Sequence, residues 1–194
     1  MEIPPSKEFK IVVLGDSGVG KTSLIQRFSN NSFNTFSEST IGGSFFTCKI
    51  KTDNDQALVS IWDTAGQEQY RSLIPTYSRG AHAALFCFDV TSPPSYLSLD
   101  SWITELMHFA PVTISTYIVG TKTDLPQVVS LEKVNLWASG KGYPLFLTSS
   151  KDNIGISDMF TTIITELCMK KDVHRKAESL KLMNQNNEAG NSCC

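Results

Sequence analysis

No run of about 18 consecutive apolar residues occurs in the 194-residue sequence, so no bilayer-spanning helix is expected. The opening Met1-Glu2-Ile3-Pro4-Pro5-Ser6 lacks the charged-then-apolar layout of a secretory signal, which leaves the cytosol as the expected compartment. The five cysteines include no Cys-x-x-Cys pair that would suggest zinc, and without an export signal they do not suggest a disulfide framework. A formal net charge of -2 gives no basic excess for a phosphate backbone, so nucleic acid is not an expected partner. His82 and His108 have no metal-ligand partners at useful spacing, and no internal repeat is visible.

What is present is a 41% apolar chain, long enough for one well-buried domain and a tail. Apolar runs of strand length alternate with helix-period segments, the pattern of an α/β fold with a mostly parallel sheet between two helical layers. The expected strands are 9–14, 45–51, 57–62, 83–89, 116–119 and 145–148; the expected helices are 21–29, 68–79, 96–109, 131–139 and 156–169. The polar stretch Thr52-Asp53-Asn54-Asp55-Gln56 reads as a hairpin turn, which makes one edge strand antiparallel. Residues 1–8 are read as a flexible N-terminus, 9–171 as the domain, and 172–194 as a flexible polar tail in which apolar periodicity fades.

Between the first strand and helix stands Gly15-Asp16-Ser17-Gly18-Val19-Gly20-Lys21-Thr22, the spacing of a phosphate-binding P-loop. Its glycines allow successive N–H groups of 15–23 to converge on one concavity, with the helix dipole behind them. Asp16, Ser17, Gly18, Val19, Gly20, Lys21, Thr22 and Ser23 are therefore the expected phosphate-binding residues. Lys21 is expected to reach the outer phosphates and Thr22 to offer its hydroxyl to Mg²⁺.

Ligands in such sheets bind beyond the carboxyl ends of the strands, and chemical groups recur there. The third strand ends in Asp63-Thr64-Ala65-Gly66-Gln67. Asp63 is placed to hold the water around Mg²⁺, Gly66 to leave its N–H open to a third phosphate, and Gln67 to orient an attacking water. The fifth strand leads into Gly120-Thr121-Lys122-Thr123-Asp124, and the sixth into Thr148-Ser149-Ser150-Lys151. A carboxylate at Asp124 accepts from guanine's ring N–H and exocyclic amine, whereas adenine leaves that charge unpaired. The Lys122 stem is expected over the base, with the Ser150 N–H on the exocyclic oxygen and Thr121, Ser149 and Lys151 completing the pocket.

These four motifs in order across residues 9 to 152 resemble the small GTPases of the Ras superfamily, with its P-loop NTPase fold. Trp62 to Glu68, Tyr77 to Ala81 and the Cys193-Cys194 ending resemble the Rab family of membrane-traffic regulators, and Glu38 to Phe45 with Ser72 to Pro75 look most like its early-endosomal branch. The resemblance implies that Thr40 joins Mg²⁺ and senses the third phosphate, that Phe33 sits against the guanine, and that segments 34–44 and 65–80 order with GTP and loosen with GDP. It further implies an effector surface of Ile41, Gly42, Phe45, Trp62 and Tyr77, and double geranylgeranylation of Cys193 and Cys194 for membrane anchoring.

The same resemblance implies a monomer that works with effectors, an activating protein, an exchange factor, a GDP-dissociation inhibitor and a prenylation escort protein. Its expected place is the cytosol and the cytoplasmic face of membranes, early endosome or plasma membrane among them. No arginine finger is evident in the chain, so hydrolysis is expected to be slow alone and accelerated on the order of 10³ to 10⁵ by the activating protein. Two departures stand out: Thr121 occupies a position where most of the superfamily has asparagine, and Ser17 stands next to the expected place of Gln67. A Rho-like GTPase, which shares that threonine, and a hydrolysis-poor nucleotide-loaded scaffold are the alternatives; a small-molecule phosphotransferase lacks a lid rich in arginine.

Overall fold

The computed structural model describes residues 7–35, 40, 43–51, 56–64, 72–111 and 113–189, with side chains placed as far as 172. Six strands form one sheet: β1 (Lys7–Leu14), β2 (Gly43–Lys51), β3 (Gln56–Thr64), β4 (Ala83–Asp89), β5 (Ser115–Thr121) and β6 (Leu145–Leu147). Their order is β2-β3-β1-β4-β5-β6. β2 runs antiparallel to β3, and every other neighbouring pair is parallel. The expected antiparallel edge strand is therefore β2.

The helical segments among the described residues are α1 (Lys21–Asn30), α2 (Ile74–Ser78), α3 (Pro93–Leu97), α4 (Leu99–Met107), α5 (Leu131–Gly140) and α6 (Ile156–Ala189). Successive residues of β1 point to opposite faces. Ile11 and Val13 pack toward α1 and α6 with Leu24, Ile25, Phe160 and Ile163. Val12 and Leu14 pack toward α4 and α5 with Trp102, Leu106, Val134 and Ala138. Burying each of these large side chains is worth roughly 1.5–3 kcal/mol, and it holds the carboxyl end of β1 rigidly between two helical layers.

Most element ends fall within one or two residues of the expected ones, and the differences that bear on the fold occur at the chain's first strand, before α4 and in the last helix. Lys7 and Glu8, assigned there to the N-terminal arm, belong to β1, because Lys7 pairs in register with Ala57 and its Nζ meets Asp172 at 2.7 Å. The helix expected over 96–109 is two segments that meet at Ser98, preceded by the Pro93-Pro94 pair that starts α3. α6 continues past Lys171 to Ala189, through a stretch that holds two each of Lys, Ala, Glu and Leu and no glycine or proline before Gly190 to stop it. Of the helix expected over 68–79, residues 68–71 lie outside the described residues and α2 covers Ile74–Ser78.

Candidate nucleotide site

β1 delivers the P-loop into a sharp reversal that only glycine fits. At Gly15, φ is 139° and an added Cβ would stand 2.2 Å from the Cys87 carbonyl oxygen of β4. Gly18 and Gly20 also have positive φ, at 75° and 100°, and α1 begins directly at Lys21. Lys21 is buried, and its ammonium donates to the carbonyls of Gly15 at 2.7 Å and Asp16 at 2.8 Å. Burial pushes its pKa down, against the opposing pull of Cys87, Asp63 and Asp16. An ammonium has three protons, so two carbonyls leave one N–H to meet an anion in the loop.

Beside it the Thr22 hydroxyl lies 2.7 Å from both Thr40 Oγ1 and Asp63 Oδ2. Asp63 is 1% exposed, and its Oδ1 has no hydrogen-bond partner among the described residues. Burial raises the Asp63 pKa, although the Thr22 bond and the Lys21 charge work the other way. A buried carboxylate oxygen without a partner is costly, and it fits a hydrated cation beside the two threonine hydroxyls. No cluster of three His, Cys, Asp or Glu side chains suited to a metal occurs among the described residues. A cation here would rest on hydroxyls, one carboxylate and oxygens brought by its ligand.

One cavity of about 410 Å³ joins the two halves of the expected site. Ser17, Gly18, Gly20, Lys21, Thr22 and Ser23 line its phosphate end, with Thr40. Phe33, Thr121, Lys122, Asp124, Ser150 and Lys151 line the other end. That volume lies within the range of small-molecule pockets, about 300–1,000 Å³. Asp124 has a 7% exposed side chain, oriented by the Ser149 hydroxyl, which donates to Oδ1 at 2.7 Å. Lys122 takes φ of 59°, and its Nζ pairs with Asp89 at 2.7 Å, so its stem lies at the pocket wall while its charge is engaged elsewhere. Burial raises the Asp89 pKa, but hydrogen bonds from Lys122 and Thr91 outweigh it and hold the carboxyl below its ordinary range.

Some expected residues stand off the cavity wall. The Asp16 carboxylate turns away to Ser98 and Trp102, at 2.8 Å each. The Val19 side chain is buried in the core, and its carbonyl accepts from Thr121 Oγ1 at 2.6 Å. Ser149 serves the cavity through Asp124. Gly66 and Gln67, with Ile41, Gly42, Cys193 and Cys194, lie outside the described residues. Phe45, Trp62 and Tyr77 form one row, with ring centroids 5.5 Å and 5.7 Å apart; Phe45 is 62% exposed, so it is not a core residue.

The sequence reading missed several supports. Arg27 of α1 donates to the carbonyls of Ser150 at 2.7 Å and Lys151 at 3.2 Å, fixing the loop at the base end. Ser98, Trp102 and Asp89 hold Asp16 and Lys122 in the same way. None has a local signal, since each acts across the fold.

The Ras family model matches residues 10–169. The chain is 42% identical over 161 residues to GTP-binding protein ypt3 of Schizosaccharomyces pombe, covering 82% of this chain and 75% of that one. It is 38% identical over 192 residues to Ras-related protein Rab-31 of Rattus norvegicus, covering 97% and 98% respectively. To Ras-related protein Rab11B of Nicotiana tabacum it is 40% identical over 171 residues, covering 87% and 78%. With a glycine loop at the end of β1 and one cavity running from Lys21 to Asp124, this kinship makes the chain a member of the Ras family of GTPases, of its Rab branch, and an enzyme that hydrolyses GTP to GDP.

Proposed function

We propose that this Rab-family GTPase is a GTP/GDP switch whose output is the recruitment of effector proteins to a membrane in vesicle traffic, in the endocytic route. The observation that carries the reading is the shared cavity: Lys21 and Thr22 at one end and Asp124 with Ser150 at the other are spaced along a single groove that one guanine nucleotide would span.

In this reading the base enters between Phe33 and the Lys122 stem, and Asp124, held by Ser149, accepts from its ring N–H and amine. Lys21 meets the outer phosphates with its remaining N–H, and the loop glycines leave backbone N–H groups facing them. Thr22, Thr40 and Asp63 would hold Mg²⁺, which supplies charge neutralisation of the phosphates and of the leaving group. Gln67 orients the attacking water, and Gly66 and Thr40 sense the third phosphate.

Loss of that phosphate removes the bonds that hold 34–44 and 65–80, and the row of exposed Phe45 with half-buried Trp62 and Tyr77 reports the change. Activating and exchange proteins set the two rates, and Cys193 and Cys194 carry two lipid chains as the anchor, handled by the escort protein and the dissociation inhibitor. The kinship with proteins named Rab and Ypt argues against the Rho-like alternative.

The test is affinity capture of binding proteins by Gln67→Leu, which traps the GTP state, against Thr22→Asn, which weakens metal binding and favours GDP. Distinct partner sets support the switch, and equal capture by both variants contradicts it. Membrane association of the chain in cells, lost on Cys193→Ser with Cys194→Ser, checks the anchor.

A further inference from the structure

We propose that Asp16 is a positioning residue that aims Lys21 at the phosphates by tying the P-loop to α4, an inference that rests on the cavity being the nucleotide site. A carboxylate in a loop built to hold phosphates is electrostatically adverse unless it points elsewhere and is held there. Here both of its oxygens are engaged: Oδ2 accepts from Ser98 Oγ and Oδ1 from Trp102 Nε1, each at 2.8 Å.

The two donors are unusually well fixed. Trp102 is 1% exposed and packed in the core beneath the sheet, so its indole N–H has one direction. Ser98 is the residue at which α3 hands over to α4; its backbone N–H donates to the Pro94 carbonyl at 3.0 Å, and its one hydroxyl proton has the Ser95 carbonyl at 3.0 Å as a second, longer acceptor beside Asp16. The clamp therefore sits on the rigid helical layer, 82 and 86 residues along the chain from the loop it holds.

Its consequence runs through the same residue's backbone. The Asp16 carbonyl accepts from Lys21 Nζ at 2.8 Å, and the Gly15 carbonyl at 2.7 Å. These two acceptors define the direction of the third N–H. Gly15 is fixed by its contact with β4, whereas Asp16 is fixed by its side chain. Releasing the carboxylate frees the Asp16 peptide and with it the aim of Lys21.

Lys21 serves the β- and γ-phosphates, and the α-phosphate and base are held by other groups, which supplies a discriminating readout. Equilibrium binding of GDP and of GMP to the full-length chain is measured by competition against a fluorescent guanine nucleotide, for wild type, Trp102→Phe, Ser98→Ala and Ser98→Thr. Trp102→Phe keeps a buried ring but removes the donor; Ser98→Ala removes the other donor at a half-buried position that tolerates alanine.

The expected result is a loss of GDP affinity of about tenfold in Trp102→Phe and in Ser98→Ala, the size of one charge-assisted hydrogen bond, with GMP affinity within about twofold of wild type and Ser98→Thr restoring GDP binding. Unchanged GDP binding in Ser98→Ala and Trp102→Phe, or GDP and GMP weakened in the same proportion, overturns the positioning role while leaving the nucleotide site intact. A wild-type chain that holds neither nucleotide overturns the site reading itself.

Discussion

The Thr121 hydroxyl stands 2.6 Å from the Val19 carbonyl and 2.9 Å from that of Phe88, joining the end of β5 to the P-loop and to β4. The hydroxyl thus keeps a tie to the P-loop at the position where a longer amide is usual in the superfamily. Thr121→Val preserves the shape but removes the one hydroxyl proton that these two carbonyls share, at a cost of about 1–3 kcal/mol. We expect a lower urea midpoint with an unchanged slope and faster GDP release; equal stability and equal release would show that the tie is idle.

Gly15 and Gly18 separate two roles of glycine in one loop. At Gly15 a Cβ would meet the Cys87 carbonyl at 2.2 Å with φ of 139°, whereas at Gly18 nothing lies within 4 Å and only φ of 75° is adverse. Gly15→Ala is expected to cost at least about 3–4 kcal/mol and to lower Tm on the order of 10 °C. Gly18→Ala should cost about 1–2 kcal/mol. Calorimetry of the nucleotide-free chain compares them, and similar costs would contradict the crowding at β4.

His82 Nδ1 accepts the Lys10 backbone N–H at 3.0 Å, so the native imidazole is neutral at that atom. Burial, with the nearby Lys171 charge, pushes its pKa below 6.5. The unfolded chain then binds a proton near pH 6.5 that the native chain takes up only at lower pH, so stability is present above that range and falls as pH drops through it. His82→Asn, whose Oδ1 accepts without titrating, should flatten the stability profile as pH falls below the ordinary histidine range. An unaltered slope in this variant would assign the pH dependence elsewhere.

The Asp63 Oδ1, without a partner among the described residues and beside Thr22 and Thr40, predicts that retention of nucleotide depends on Mg²⁺. Chelation with EDTA should speed GDP release on the order of 10- to 100-fold. Stopped-flow displacement of fluorescent GDP reads this directly, and equal rates with and without EDTA would remove the cation from the site.

The strand ends and the P-loop were legible in the sequence because their signals are local: an apolar run, a turn of glycines, a carboxylate at a fixed step. The place of Asp124 on the cavity wall was legible for the same reason, yet the pairing of Lys122 with Asp89 was not, because those residues meet only once β4 and β5 are neighbours. Asp16 was read with the phosphate loop on adjacency alone, while its side chain answers to Trp102 on a distant helix. Arg27 reads locally as a surface residue of α1, and its bond to Ser150 spans 123 positions. The break at Ser98 was hidden for a related reason, since the apolar period of α4 starts on its far side and the Pro93-Pro94 pair sets a separate short helix before it.

In the proposed function one guanine nucleotide occupies the groove between Lys21 and Asp124. Nucleotide binding and single-turnover hydrolysis with Mg²⁺, comparing GTP, ATP and XTP on wild type and Asp124→Asn, test it most directly. Wild type is expected to hold and slowly cleave GTP while rejecting ATP, and Asp124→Asn to lose GTP by about a hundredfold and turn toward XTP, whose base presents the complementary carbonyl. Failure to hold GTP, or equal preference for GTP in the variant, would contradict it.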